Sequence, residues 1–278
     1  MDWNIVLDSS SDLFDELLDE GVERTIVPLK MNVGDVQYVD DQDLDVDAML
    51  EAIRDYSGPS SSACPSIGEF AEAFRKAKNT ICVTMTSALS ATYETAQQAR
   101  DMVLAEDPTK NIHIVDTAAT AGKIVLVGEE ALRLIKDGLT FDAITTKIDE
   151  YNKSIRLLFS MERFDNLMKN GRMPKYQGKL VQMLKIRPIA QATEAGEIEV
   201  IDKPRGEAAM LRKMVERMQE FKNLDGLPVI ISHCHAQDAA LKLKEMLEAA
   251  APVKSVRLLK TRGLCSYYTD EGGFIVAF

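Results

Sequence analysis

The sequence predicts an α/β protein of two domains: an N-terminal, mostly parallel α/β/α sheet domain over residues 1–155 and a C-terminal α+β domain over residues 156–278. Three observations point there. The first half alternates short β-branched runs with stretches of helical period, the βαβ rhythm of a parallel sheet. After residue 155 that rhythm gives way to two short strand-like runs joined through Glu194, Ala195 and Gly196, the pattern of a hairpin. The length of 278 residues exceeds that of a usual single domain.

Taken in order, residues 5–7, 25–29, 80–84 and 112–115 are rich in Ile, Val and Thr and read as strands. Residues 66–78 read as a helix with Ile67, Phe70, Ala71 and Phe74 on one face, and Ser66 with Glu69 forms a capping box at its start. Ser90, Thr120 and Thr140 stand in N-cap positions before helices over 91–105, 121–136 and 141–153. In the second half, residues 155–160, 186–192, 198–202, 228–231, 255–259 and 274–278 read as strands, and 207–222 and 237–249 as helices. Between them, residues 169–179 are polar and contain glycine. Residues 40–47 hold five aspartates in eight positions and read as a solvated loop, because the glycine and terminal glutamate of a calcium loop are missing.

Composition narrows the function. A net charge of −11 without a basic, aromatic stripe opposes nucleic-acid binding and leaves at most transient contact with an anionic membrane. No run approaches the roughly 18 apolar residues of a membrane span, and the start has no signal-peptide pattern, so a cytoplasmic protein is expected. Cys64, Cys82, Cys234 and Cys265 lack metal or disulfide spacing and read as reduced thiols. Neither a dinucleotide fingerprint nor a phosphate loop occurs, and no cofactor is expected.

Three strand-to-helix junctions share one design: residues 8–12, 84–92 and 116–120 are runs of hydroxyl-bearing and small residues. In a parallel sheet these loops meet at the carboxyl edge, where helix N-termini and neutral hydroxyl donors suit an anion such as a carboxylate. Ser10, Ser90 and Thr117 are the candidate ligand-binding residues of these loops, and Ser62 belongs to a fourth cluster, Ser60-Ser61-Ser62. Helix capping alone accounts for any single cluster; their convergence favours a binding site. Serine catalysis finds no base, since His113 lies within a strand and His233 and His235 have no nucleophile beside them. The two latter histidines could face one side of an extended segment, but no third metal ligand adjoins them. No catalytic residue or metal ligand is assigned. An alternative remains an enzyme of small carboxylates or phosphates using Asp8 or Asp116 at the same edge, although the phosphatase Asp-x-Asp pairing is absent, residue 10 being Ser10.

Motifs in order along nearly the whole chain resemble the DegV family. Asp8-Ser9-Ser10-Ser11-Asp12 and Val27-Pro28-Leu29 come first, then Cys64-Pro65-Ser66 within a Thr-Ser-Gln-Pro-Ser type segment. Thr86-Ser87-Ala88-Leu89-Ser90-Ala91-Thr92-Tyr93 is similar to that family's Ser-Ser-x-Leu-Ser-Gly-Thr-Tyr, Val115-Asp116-Thr117 to Val-Asp-Ser, Gly171-Arg172 to Gly-Arg, and Ile186-Arg187-Pro188-Ile189 to Ile-Lys-Pro-Ile. The resemblance implies a lipid site between two domains, a tunnel for a long-chain fatty acid such as palmitate. It further implies carboxylate contacts from Ser62, Ser90 and the backbone amide of Ala91, with Arg172 near the mouth and Thr117 in another edge loop. It also implies service to a separate ATP-dependent fatty acid kinase subunit. Leu167, Met168, Met183, Leu184 and Ile189 suit either a tunnel wall or ordinary core. The chain departs from the family pattern where Ser62 replaces threonine, Cys64 glutamine and Ala91 glycine. The family's His-x-Gly-Pro-Gly run corresponds to Tyr267-Tyr268-Thr269-Asp270-Glu271-Gly272-Gly273, which puts Tyr268 at the histidine's position.

Overall fold

A computed structural model describes residues 2–13, 21–173 and 186–278. The first half runs β1 (Trp3–Asp8), a 3-10 turn (Ser9–Ser11), β2 (Val22–Val27), β3 (Lys30–Val33), β4 (Val36–Val39), α1 (Val46–Asp55), β5 (Ser60–Ala63) and α2 (Ile67–Arg75). It continues with β6 (Asn79–Thr84), α3 (Thr92–Glu106), β7 (Asn111–Asp116), α4 (Gly122–Lys136) and α5 (Phe141–Ser154). Then follow β8 (Leu157–Ser160), α6 (Asp165–Lys169), β9 (Ile189–Ala192), β10 (Ile198–Asp202) and α7 (Glu207–Phe221). The chain ends with β11 (Pro228–His233), α8 (Gln237–Ala250), β12 (Ser255–Lys260), α9 (Gly263–Thr269) and β13 (Phe274–Ala277).

Strands β2-β1-β6-β7 form one wholly parallel sheet in that order. β2 lies on one side of β1 and β6 on the other, so the strand order reverses at β1 and β6, the kind of switch point at which a parallel sheet opens a crevice beyond its carboxyl edge. A second sheet, β10-β9-β8-β13-β11-β12, is antiparallel except for its β11–β12 pair. Helix α4 packs against β1 and β6 of the first sheet and β11 and β13 of the second. Its opening turns, Gly122 through Gly128, are buried on every side, as an all-round apolar helix between two layers must be. Gly122 permits that approach: a Cβ there would stand 2.7 Å from Ile230 Cγ2.

The α/β class and the element order expected for the parallel sheet are present, and the Ser66–Glu69 capping box is formed at α2. The antiparallel hairpin β9–β10 is present as well. Several local expectations are corrected. Residues 30–63 contribute a third sheet that the sequence did not announce, β4-β3-β5, in which the Ser60-Ser61-Ser62 cluster is a strand paired with β3. The aspartate run is a largely exposed turn as expected, except that Asp40 is wholly buried and Asp45 caps α1 by accepting from Ala48 N–H at 3.0 Å. Neither Ser90 nor Thr120 caps a helix, since α3 and α4 begin one residue later, behind Ala91 and Ala121. His233 is buried at the end of β11, whereas His235 lies past the strand at φ 47° and pairs with Asp47 at 2.8 Å, so the two do not share an extended face. Ile189 belongs to the core packed against α7 and β11, Met168 is partly buried, and Met183 and Leu184 lie outside the described residues.

Candidate functional site

At the carboxyl edge of the parallel sheet, a narrow cavity of about 80 Å3 runs between that edge and the face of β8 and β13. Met85, Thr86, Leu89 and Ser90 enter it from the β6–α3 loop, Ala119 and Thr120 from the β7–α4 loop, and Ser62 from β5. Leu157, Phe159 and Ile275 form the opposing sheet face, Leu167 and Arg172 come from α6 and the segment after it, and Leu264, Cys265 and Tyr268 come from α9. The tip of the β9–β10 hairpin closes another side with Ala192, Gly196 and Ile198. The walls are predominantly apolar, as those of small-molecule sites are.

Polar groups gather at one linked set of contacts. Ser62 Oγ and Tyr268 Oη lie 2.7 Å apart. The Tyr268 ring meets that of Tyr267 edge-on at 4.8 Å, and the Tyr267 hydroxyl is fixed by Ser60 at 2.8 Å and by the Asn170 amide at 2.9 Å. Arg172 donates from Nε to the Leu89 carbonyl at 3.2 Å, next to Ser90, and also donates to the Asn170 carbonyl. Burial pushes the Tyr268 hydroxyl above its ordinary pKa, against the opposing pull of Ser62 and Arg172, so it remains a proton donor near neutral pH. Ser90 Oγ sits 2.8 Å from Thr92 Oγ1 and accepts from Thr92 N–H at 3.3 Å. A ring of hydroxyls and one guanidinium at the rim of an apolar slot is an arrangement that holds a carboxylate by its oxygens and an aliphatic tail by its surface.

Of the residues singled out from sequence, Ser62, Ser90 and Arg172 line this cavity; Ser10, Ala91 and Thr117 do not. Ser10 is buried beneath it, its hydroxyl donating to Asp8 and its carbonyl accepting from Ala121 N–H at 2.8 Å and Cys265 Sγ at 3.3 Å. Thr117 Oγ1 donates to the Thr84 carbonyl at 2.9 Å, joining the ends of β6 and β7, and Ala91 is exposed at the start of α3. Asp8 is sealed by Ser10 and by Met85 N–H at 2.6 Å, and Asp116 accepts from Ala118 N–H at 2.9 Å, away from the cavity lining. Thr86, Thr120 and Tyr267 belong to the site's polar frame; all three lie in segments the sequence singles out, but none is itself among the candidate ligand-binding residues. Among the described residues no cluster of three His, Cys, Asp or Glu side chains is placed to hold a metal, and no helix is long and apolar enough to cross a membrane.

Beneath the polar rim lie three buried carboxylates. Desolvation pushes Asp8 and Asp40 up to about 6 and Asp12 up to about 8, and the Asp40 charge adds to the rise at both neighbours. Folding therefore takes up protons that the unfolded chain, with aspartates near 3.8, releases. The stabilising contribution of these groups is greatest below the unfolded value and declines as pH rises through 8. Asp12→Asn is expected to flatten the fall in unfolding free energy between about pH 6 and 8, measured by urea titrations stepped across that window. An unchanged slope in the variant would exclude Asp12 as the group responsible.

Comparison with known proteins places the whole chain in one context. A family model described as an uncharacterised protein of the DegV family matches residues 2–278. A DegV domain-containing protein of Streptococcus pneumoniae is 33% identical over 280 residues, covering 100% of this chain and 99% of the relative. One from Streptococcus pyogenes serotype M1 is 34% identical with the same coverage. Among solved structures, the fatty acid kinase B3 protein of Streptococcus pneumoniae, loaded with linoleic acid, superposes with a TM-score of 0.97 at 32% identity, covering 100% of this chain and 99% of its own. A DegV family protein from Eubacterium eligens loaded with heptadecanoic acid gives 0.94 at 30% identity, over 99% of this chain and 98% of its own.

Proposed function

The chain belongs to the DegV family, and from that premise we propose that it binds one long-chain fatty acid in the cytosol, tail in the apolar cavity and carboxylate at the polar rim. The observation that carries this reading is the pairing, in one cavity, of apolar walls with the Ser62–Tyr268–Arg172–Ser90 rim. Burying a sixteen-carbon acid removes about fourteen methylenes from water at ~0.8 kcal/mol each, a gross ~11 kcal/mol before association and ordering costs. The tail thus supplies most of the affinity, and the rim sets which end faces out.

In this role the protein makes and breaks no bond itself; it presents the carboxylate to a separate ATP-dependent kinase subunit. Tyr268 at the position of the family's histidine keeps a donor there but supplies no base near neutral pH, so its part is to hold the carboxylate rather than to take a proton from it.

Native mass spectrometry of protein purified without detergent, followed by organic extraction and exchange against labelled fatty acid, tests the reading. A stoichiometric, exchangeable fatty acid supports it. Failure of delipidated protein to take up C14 to C18 acids would end it, and a lipid that never exchanges would reduce the ligand to a structural part. Ser90→Ala and Tyr268→Phe are each expected to weaken fatty-acid binding without abolishing occupancy. Loss of one hydrogen bond to a carboxylate, ~1.5–3 kcal/mol, corresponds to roughly a 10- to 150-fold rise in Kd. Complete loss of lipid from a correctly folded variant would contradict the division of labour between tail and rim.

A further inference from the structure

We propose that the protein carries a second ligand site, a cleft around Lys123 that takes a phosphate-class oxyanion. The cleft lies behind the β9–β10 hairpin tip and shares only Ala119, Leu157 and Ala192 with the acyl cavity. Three cations face it, Lys123 from the second position of α4, Lys153 near the end of α5 and Arg156 just after it, against two carboxylates, Asp116 and Glu194.

Both carboxylates are already engaged. Asp116 accepts backbone N–H groups from Ser87 and Ala118, and Glu194, extended into solvent, lies 3.5 Å from Arg156. Lys123 is not. Its residue is only 7% exposed, it faces the cleft, and among the described residues its ammonium makes no hydrogen bond or ion pair. A largely buried ammonium without a hydrogen-bond partner is costly unless something satisfies its donors. Desolvation first, and then the Arg156 charge, hold the Lys123 pKa down to about 8 against the opposing pull of Asp116, and an oxyanion at the cleft would raise it. In a chain of net charge −11, this local excess of cations gives an anion a place to bind that the overall surface does not.

The cleft is independent of the fatty-acid reading, and its test is independent too. Labelling of the whole protein with an amine-acylating reagent near pH 8, read by peptide mass spectrometry, should show Lys123 protected by inorganic phosphate or methyl phosphate and not by acetate at matched ionic strength. The tighter of the two phosphates identifies whether the group arrives free or as a monoester. Wild-type protein should show a saturable rise in Tm with phosphate, and Lys123→Met and Arg156→Met should each weaken it about tenfold or more. Circular dichroism and a cooperative thermal transition without phosphate report that both variants fold. Equal protection by acetate, or an undiminished phosphate response in folded Lys123→Met, would overturn the site.

Discussion

Asp40→Ala is expected to destabilise the protein by about 3–6 kcal/mol and to strip it of bound ligand, because one carboxylate holds three buried donors from distant segments. Asp40 accepts from Ser9 Oγ at 2.9 Å, from Gly263 N–H at 2.7 Å and from Leu264 N–H at 2.9 Å, and is itself wholly buried. The last two are first-turn amides of α9, which have no partner within their own helix. Asp12 takes the neighbouring Arg262 N–H at 2.7 Å, so two aspartates from the first half clamp the start of a helix from the last sixth of the chain. Alanine would leave each donor buried without an acceptor, at ~1–3 kcal/mol apiece, partly offset by removing a carboxylate that burial already disfavours. Total stabilities of ~5–15 kcal/mol leave little margin for such a loss. Since α9 also delivers Leu264, Cys265 and Tyr268 to the cavity, the effect should appear both in the urea midpoint and in lipid retention. Asp40→Asn, which keeps one acceptor, should fall between. A variant within about 1 kcal/mol of wild type that retains its ligand would refute the clamp.

That clamp also explains what the sequence could and could not disclose. The strands of the parallel sheet are legible because β1, β6 and β7 are β-branched runs buried between helices, and α2 because Ser66 and Glu69 sign its start. Helix α9 is not legible: seven residues that include glycine, cysteine, serine and two tyrosines have weak helix propensity and no side-chain cap of their own. Its caps lie 223 and 250 positions away, a relation no local window contains. The same distance hid the burial of Asp40 within an aspartate run. The sheet β4-β3-β5 was hidden for another reason, its strands being four residues long and partly polar, and the one available signal was the Gly34-Asp35 pair, with Gly34 at φ 59° in the β3–β4 turn. At the site, hydroxyl loops after β1, β6 and β7 look alike in sequence. The structure separates them by depth: Ser90 faces the cavity, whereas the Ser10 hydroxyl is spent on Asp8 and that of Thr117 on joining the ends of β6 and β7.

Gly196→Ala is expected to lift the β9–β10 hairpin from the cavity and to speed release of the ligand. Gly196 adopts φ 80°, where a side chain strains the backbone, and its carbonyl accepts from Thr86 Oγ1 at 3.1 Å. A Cβ there would fall 2.0 Å from that same hydroxyl and 3.1 Å from Ala118 Cα. The left-handed conformation costs about 1 kcal/mol and the overpacking ~1–3 kcal/mol more, unless the hairpin tip moves. Movement of the tip, held by the Thr86–Gly196 hydrogen bond and the exposed Glu194–Arg156 ion pair, would uncover the wall formed by Gly196 and Ile198. The expected signature is therefore a modest drop in Tm with a disproportionate rise in the dissociation rate of labelled fatty acid. A double-mutant cycle with Thr86→Ala separates contact from general strain: if the hydroxyl is what the new methyl meets, the double variant should be less impaired than the sum of the two single ones. Additive effects would mean that the methyl acts through backbone strain alone, and an unchanged dissociation rate in Gly196→Ala would mean that the hairpin does not retain the ligand.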